Sequence, residues 1–130
     1  MRDSLARWSL LLCCGTAVLA DDRVFFKHPS ADYYYYRDSI SVTKNGVQVE
    51  YAVVPRRAQD FGGLEQMNVV CYLNRSRQMK SVGAIGFKGS GSQVALDPDV
   101  LPGGGRWSSV GTNSAYEALW KVVMAKAGLR

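Results

Sequence analysis

The feature that most constrains this chain is the stretch from Glu65 to Phe87. In EQMNVVCYLN, residues Met67, Val69, Cys71 and Leu73 fall in one phase and Asn68, Val70, Tyr72 and Asn74 in the other. Successive side chains on a pleated strand point to opposite faces, so this period of two predicts a strand with one face in the core. Asn74-Arg75-Ser76-Arg77 is polar and suits a turn, and MKSVGAIGF reads as the return strand. Gly83 and Gly86 within it predict a bulge or a close backbone approach.

More strands precede this hairpin. RVFFK, from Arg23 to Lys27, is short, aromatic and β-prone, and His28-Pro29-Ser30-Ala31-Asp32 breaks it. Tyr33, Tyr34, Tyr35 and Tyr36 follow as four tyrosines in a row. In a strand two rings face inward and two outward, and the outward pair would offer apolar area with a polar tip. Ile40 to Lys44, then Asn45-Gly46, then Val47 to Val53 predict a second hairpin, because Asn-Gly tolerates the positive φ of a type I′ turn. The segment from Pro55 to Gly63 reads as a loop with adjacent Arg56 and Arg57 and an exposed Phe61. Gln93 to Leu96 is a short last strand. Asp97 and Asp99 suit turn caps, Gly103-Gly104-Gly105 a further turn, and Trp107 a cap on the core.

The C-terminal region is helical. Ser114-Ala115-Tyr116-Glu117 has the spacing of a capping box, in which the serine accepts from a helix N–H and the glutamate reaches back. Ala115, Leu119, Val122 and Val123 form an apolar stripe at helical spacing, and Gly128 suits the stop. Several antiparallel strands and one closing helix predict an α+β fold: an antiparallel β-sheet of five to six strands packed against one C-terminal α-helix.

The first twenty residues are set apart. Arg2 and Arg7 precede an apolar run from Leu10 to Leu19, and Val18-Leu19-Ala20 ends it with a small residue. That is the pattern of a cleaved secretory signal, and a run of this length is too short to span a bilayer. Residues 21–130 then form a single domain, exported to the periplasm, the outer envelope surface or the medium. Cys13 and Cys14 lie inside the signal, and a leucine before Cys13 fits lipidation poorly. Removing Arg2, Arg7 and Asp3 lowers the formal charge from +5 to +4. This excess favours acidic proteins or glycans, while basic residues spread along the chain argue against a nucleic-acid arm. Cys71 alone remains, on the apolar phase of its strand, which predicts a buried hydrophobe without a disulfide.

Catalytic chemistry has little to build on. His28 is the one histidine, no serine sits in a nucleophile elbow, and one histidine with one cysteine makes no metal set. No cofactor and no catalytic residue is expected. Asn74-Arg75-Ser76 matches a glycosylation acceptor, a pattern short enough to arise by chance.

Four pieces stand in a telling order: Tyr35-Tyr36-Arg37-Asp38-Ser39-Ile40, the Asn45-Gly46 hairpin to Val53, Val70 to Arg77, and Trp107-Ser108-Ser109-Val110 with the Ser114 to Val123 helix. In that order they resemble the bacterial surface-adhesin protein E-like family. The resemblance implies a small exported α+β module of adhesin type that binds host matrix and serum proteins. It also implies a second cysteine near the helix end, where this chain has Met124 and no later cysteine. No binding motif transfers by position. The chemistry itself nominates Arg56, Arg57, Arg75, Arg77 and Lys80 as one basic rim, with exposed members of Tyr33–Tyr36 adding contact area. The expected role is a non-catalytic binding module for an extracellular or envelope protein or an acidic glycan. The alternative is a structural envelope or assembly protein pairing through an exposed sheet edge, for example as a homodimer.

Overall fold

The structure is a computed structural model, and it describes residues 23–89, 91–101 and 103–128. The signal segment expected over residues 1–20 lies outside the described residues. Among the described residues the strands are β1 (Arg23–His28), β2 (Ala31–Tyr35), β3 (Ser41–Thr43), β4 (Gly46–Pro55), β5 (Leu64–Leu73), β6 (Gln78–Lys88), β7 (Gln93–Leu96) and β8 (Ser108–Ser109). Among the described residues one α-helix, α1, spans Ala115–Lys126. All the strands form one antiparallel sheet of order β1-β2-β4-β5-β6-β7, with β3 on β4 and β8 on β6. The fold is α+β, with the helix on one side of the sheet, as the alternation and the closing amphipathic segment predict.

The two phases of β5 take the two faces. Val69, Cys71 and Leu73 join Val47, Val49, Tyr51, Tyr35 and Met79 in the core against Leu119, Val123 and Met124 of α1. Cys71 is fully buried and unpaired, and burial pushes its thiol up to about 12, so it stays protonated at ordinary pH. Phe61, expected to be exposed, packs against this core from a 3-10 turn over Ala58–Phe61. The opposite, helix-free face carries Asn68 and Val70, with Ile85 and partly buried Val82 and Phe87 as a smaller apolar group.

The glycines of β6 do both things that a strand glycine signals. Val70 pairs with Gly83 but Cys71 pairs with Ser81, so Val82 is an extra residue in a bulge. At Gly86 a side chain would meet Leu64 Cδ2 at 2.7 Å. The triple glycine is also structural. Ser81 N–H donates to the Gly103 carbonyl at 2.7 Å and Gly105 N–H donates to the Ser81 carbonyl at 3.0 Å. Gly104 lies so close beneath the Pro98 carbonyl that a Cβ there would collide with it.

Three local expectations are corrected. Thr43 pairs with Gly46, so the two turn residues are Lys44 and Asn45, and Asn45 keeps a negative φ. The Thr43 hydroxyl holds this turn by donating to the Gly46 carbonyl at 2.7 Å and accepting from Asn45 N–H at 3.1 Å. Ser114 Oγ does accept from Glu117 N–H at 3.2 Å, but Glu117 reaches one residue further than a capping box requires, accepting from Asn113 N–H at 3.0 Å. Trp107 does not join the main core; it stands over Gly46, with Cη2 3.3 Å from where a Cβ would be. Trp120 is the tryptophan on the core, and its Nε1–H donates to the Asn74 carbonyl at 2.7 Å.

Candidate binding surface

Strand direction decides where the predicted cations go. β4 and β5 are antiparallel from Val47↔Leu73 to Val53↔Met67. The segment after β4 and the segment after β5 therefore lie at opposite ends of the sheet, roughly 30 Å apart over a ten-residue strand. Arg56 and Arg57 occupy one end, and Arg75 and Arg77 the other. A single rim of all five cations does not form.

The pair at the first end is neutralised. Arg56 Nη2 is 2.7 Å from Asp32 Oδ1, and its Nε donates to the His28 carbonyl at 3.3 Å. Arg57 makes a bidentate pair with Asp60 at 3.1 and 3.0 Å. Arg77 is engaged as well. Its backbone takes a left-handed φ of 59°, its guanidinium pairs with Glu117, and its Cζ sits 5.0 Å from the centroid of the Trp120 ring. That stack pins the β5–β6 turn to the start of α1. Asn113 N–H first, then Lys121 and Arg77, hold the Glu117 carboxyl below its ordinary range against the opposing effect of desolvation.

The four tyrosines divide three ways. Tyr33 and Tyr35 turn toward the helix, where Tyr33 meets Tyr116 edge-on at 6.5 Å and Phe25 at 5.9 Å. Tyr51 and Tyr116 meet edge-on at 6.3 Å in the same cluster. Burial pushes the Tyr116 phenol up to about 12 and holds the Tyr51 phenol well above its ordinary value, so both stay neutral. Tyr34 is half-exposed on the helix-free face. Tyr36 is buried rather than presented. Its N–H donates to the Glu50 carbonyl on β4, while its hydroxyl accepts from Asn68 Nδ2 at 2.7 Å and Gln66 Nε2 at 3.2 Å on β5. The ring therefore crosses β4 on the helix-free face. Beneath it Glu50 is 2% and Asn68 0% exposed, joined by Asn68 Nδ2 to Glu50 Oε2 at 3.0 Å.

The second end gathers a different basic set. The Lys44–Asn45 turn precedes β4 and so shares an end with the turn that follows β5. Gly46 lies against the Leu73 carbonyl, where a Cβ would sit 2.7 Å from the oxygen. Trp107 over Gly46 brings Arg106 to the same end. Lys44, Arg75 and Arg106 are exposed and Lys80 is half-exposed, and among the described residues none of the four makes an ion pair. Gln48 pairs with Tyr72, and Tyr72 with Lys80. Directly opposed residues share a face, so these three half-exposed side chains form a row across three strands on the helix-free face.

Sequence reasoning found Arg75 and Lys80 and missed Lys44, Gln48, Tyr72 and Arg106. The alternation of β5 already assigns Tyr72 to the polar phase. The positions of Lys44 and Arg106 depend on which strand ends meet. The arrangement sets four cations without ion-pair partners among the described residues beside an aromatic and amide row, which favours anions. Exposed His28 has Nδ1 2.8 Å from Ser30 Oγ. Among the described residues no cluster of three or more His, Cys, Asp or Glu is placed to hold a metal ion. Comparison with known proteins finds no matching family model, no matching curated protein and no matching solved structure.

Proposed function

We propose that this domain is a non-catalytic, adhesin-like binding module of the cell envelope or its exterior, which engages acidic protein or glycan surfaces. The observation that carries the reading is the end of the sheet where Lys44, Arg75, Lys80 and Arg106 stand without ion-pair partners among the described residues. By contrast, Arg56 and Arg57 at the far end of the sheet and Arg77 beside α1 each hold a carboxylate. Cations left without such partners keep their charge for an external group. The leader pattern of residues 1–20 supports export, and the resemblance in residue order to protein E-like domains supports the adhesin class.

The test is binding of the purified protein to immobilised acidic proteins and acidic glycans at low and physiological salt, beside an unrelated protein of equal net charge. The variant Lys44→Ala/Arg75→Ala/Lys80→Ala/Arg106→Ala is expected to lose at least about tenfold in affinity, roughly the value of a few exposed charge contacts. Arg56→Ala/Arg57→Ala is expected to stay close to the parent. Affinity is expected to fall with added salt as screening shortens the reach of exposed charges. Binding no stronger than the charge-matched control would reject the reading.

A further inference from the structure

We infer that the ligand of the basic end is a linear acidic polysaccharide, and that one of its sugar rings lies on Tyr72. The inference rests on the binding-module reading above and adds the ligand's chemistry and its contact row. The register places Gln48, Tyr72 and Lys80 side by side on three adjacent strands, about 5 Å apart from one strand to the next. All three are half-exposed, and they lie on the face opposite the helix.

A folded acidic protein would bind best where an apolar anchor can enter a pocket. At this end the apolar side chains are Val42, which stands singly and exposed on β3 across β4, and Trp107, already packed over Gly46. The small apolar group of the face, Val70 and Ile85 with Val82 and Phe87, lies further along β5 and β6. What the helix-free face presents at this end is a row, the Tyr72 ring between an amide and an ammonium, with Arg75 and Arg106 on the loops at the same end. An aromatic ring has an electron-rich face, which attracts the C–H edges of a pyranose. The Gln48 amide both donates and accepts, as sugar hydroxyls require, and Lys80 donates. Arg75 and Arg106 present planar forks that match a carboxylate or sulfate in two-point contact. Lys44 adds a point charge at the neighbouring turn. Periodic charge along a linear chain suits cations carried on three separate loops and one strand.

The experiment measures affinity of the purified full chain for hyaluronate, dextran sulfate, uncharged dextran and poly-L-glutamate at physiological salt. It is repeated with Tyr72→Thr, Tyr72→Phe and Gln48→Ala, each checked for an unchanged thermal transition. Threonine keeps β propensity without the ring, and phenylalanine keeps the ring without the hydroxyl. The expected result is tighter binding of at least one acidic glycan than of poly-L-glutamate. Loss of the ring is expected to weaken glycan binding roughly five- to tenfold, the scale of one aromatic contact, with Tyr72→Phe close to the parent. Hyaluronate and dextran sulfate separate a carboxylate preference from a sulfate preference. Equal binding of poly-L-glutamate with no effect of Tyr72→Thr overturns the glycan assignment and leaves the basic binding module standing. No binding to any anion above the uncharged control overturns both.

Discussion

At the scale of single residues, Tyr36 shows how a run that looks like a contact surface becomes part of the frame. Its hydroxyl takes N–H groups from Asn68 and Gln66, and Asn68 has no exposure to water. A buried donor without its acceptor keeps its full desolvation cost. Tyr36→Phe is therefore expected to lower unfolding free energy by about 1–3 kcal/mol in a denaturant titration. Tyr34→Phe, on the same run but half-exposed, is expected to change it by less than about 0.5 kcal/mol. Equal effects at the two positions would mean that the network under Tyr36 contributes little. Residue type alone does not separate four consecutive tyrosines. Alternation separates Tyr33 and Tyr35 from Tyr34 and Tyr36, but Tyr36 bends across β4 because its hydroxyl finds amides on a strand thirty residues away. Such a partner is visible only after the sheet is assembled. Trp107 departs from the core for a similar reason, since only the assembled fold brings Gly46 beneath its indole.

At the scale of elements, the β5–β6 turn and α1 are joined by one set of groups. Glu117 lies one turn into the helix, pairs with Arg77, and accepts from Asn113 N–H; Trp120 lies beneath Arg77 and donates to Asn74. The folded-state carboxyl of Glu117 is depressed below its unfolded value. Its contribution to stability is then fully present above the unfolded pKa and is lost as pH falls through the folded one. Chemical denaturation of the parent and Glu117→Gln from pH 7 to pH 3 should show the parent more stable at pH 7, with the gap closing below about pH 4.5. A gap independent of pH would assign the helix start to hydrogen bonding alone. Much of this was legible: Ser114 and Glu117 mark the helix start, and the period-two runs mark β4, β5 and β6. The hairpin at Asn45-Gly46 was legible as a hairpin but not in its turn, because the Thr43 hydroxyl offered the backbone a competing set of bonds.

At the scale of the whole molecule, the surface divides by which strand ends come together. Loops that follow consecutive antiparallel strands fall at opposite ends, so the sequence already contained the reason that Arg56 and Arg57 cannot join Arg75 and Arg77. Which loop from a distant part of the chain completes each end was not contained there, and Arg106 arrives through the fit of Trp107 on Gly46. The same assembly bears on self-association. An open sheet invites another chain at its edges. Here β7 is four residues long and runs directly into the 3-10 turn that Asp97 caps. The outer side of β6 beyond it is taken by β8 and by Gly103–Gly105 against Ser81. At the other edge α1 packs beside β1, and Val24 and Phe25 of β1 fall at a break in register with β2. A broken edge strand beside a helix is a poor template for a long ladder. The protein is accordingly expected to sediment as a monomer at concentrations of tens of micromolar, on the order of those where weak edge pairing appears, at both low and high salt. Association that grows with concentration and ignores salt would instead show a usable edge, and pairing between copies would then displace anion capture as the reading of this fold.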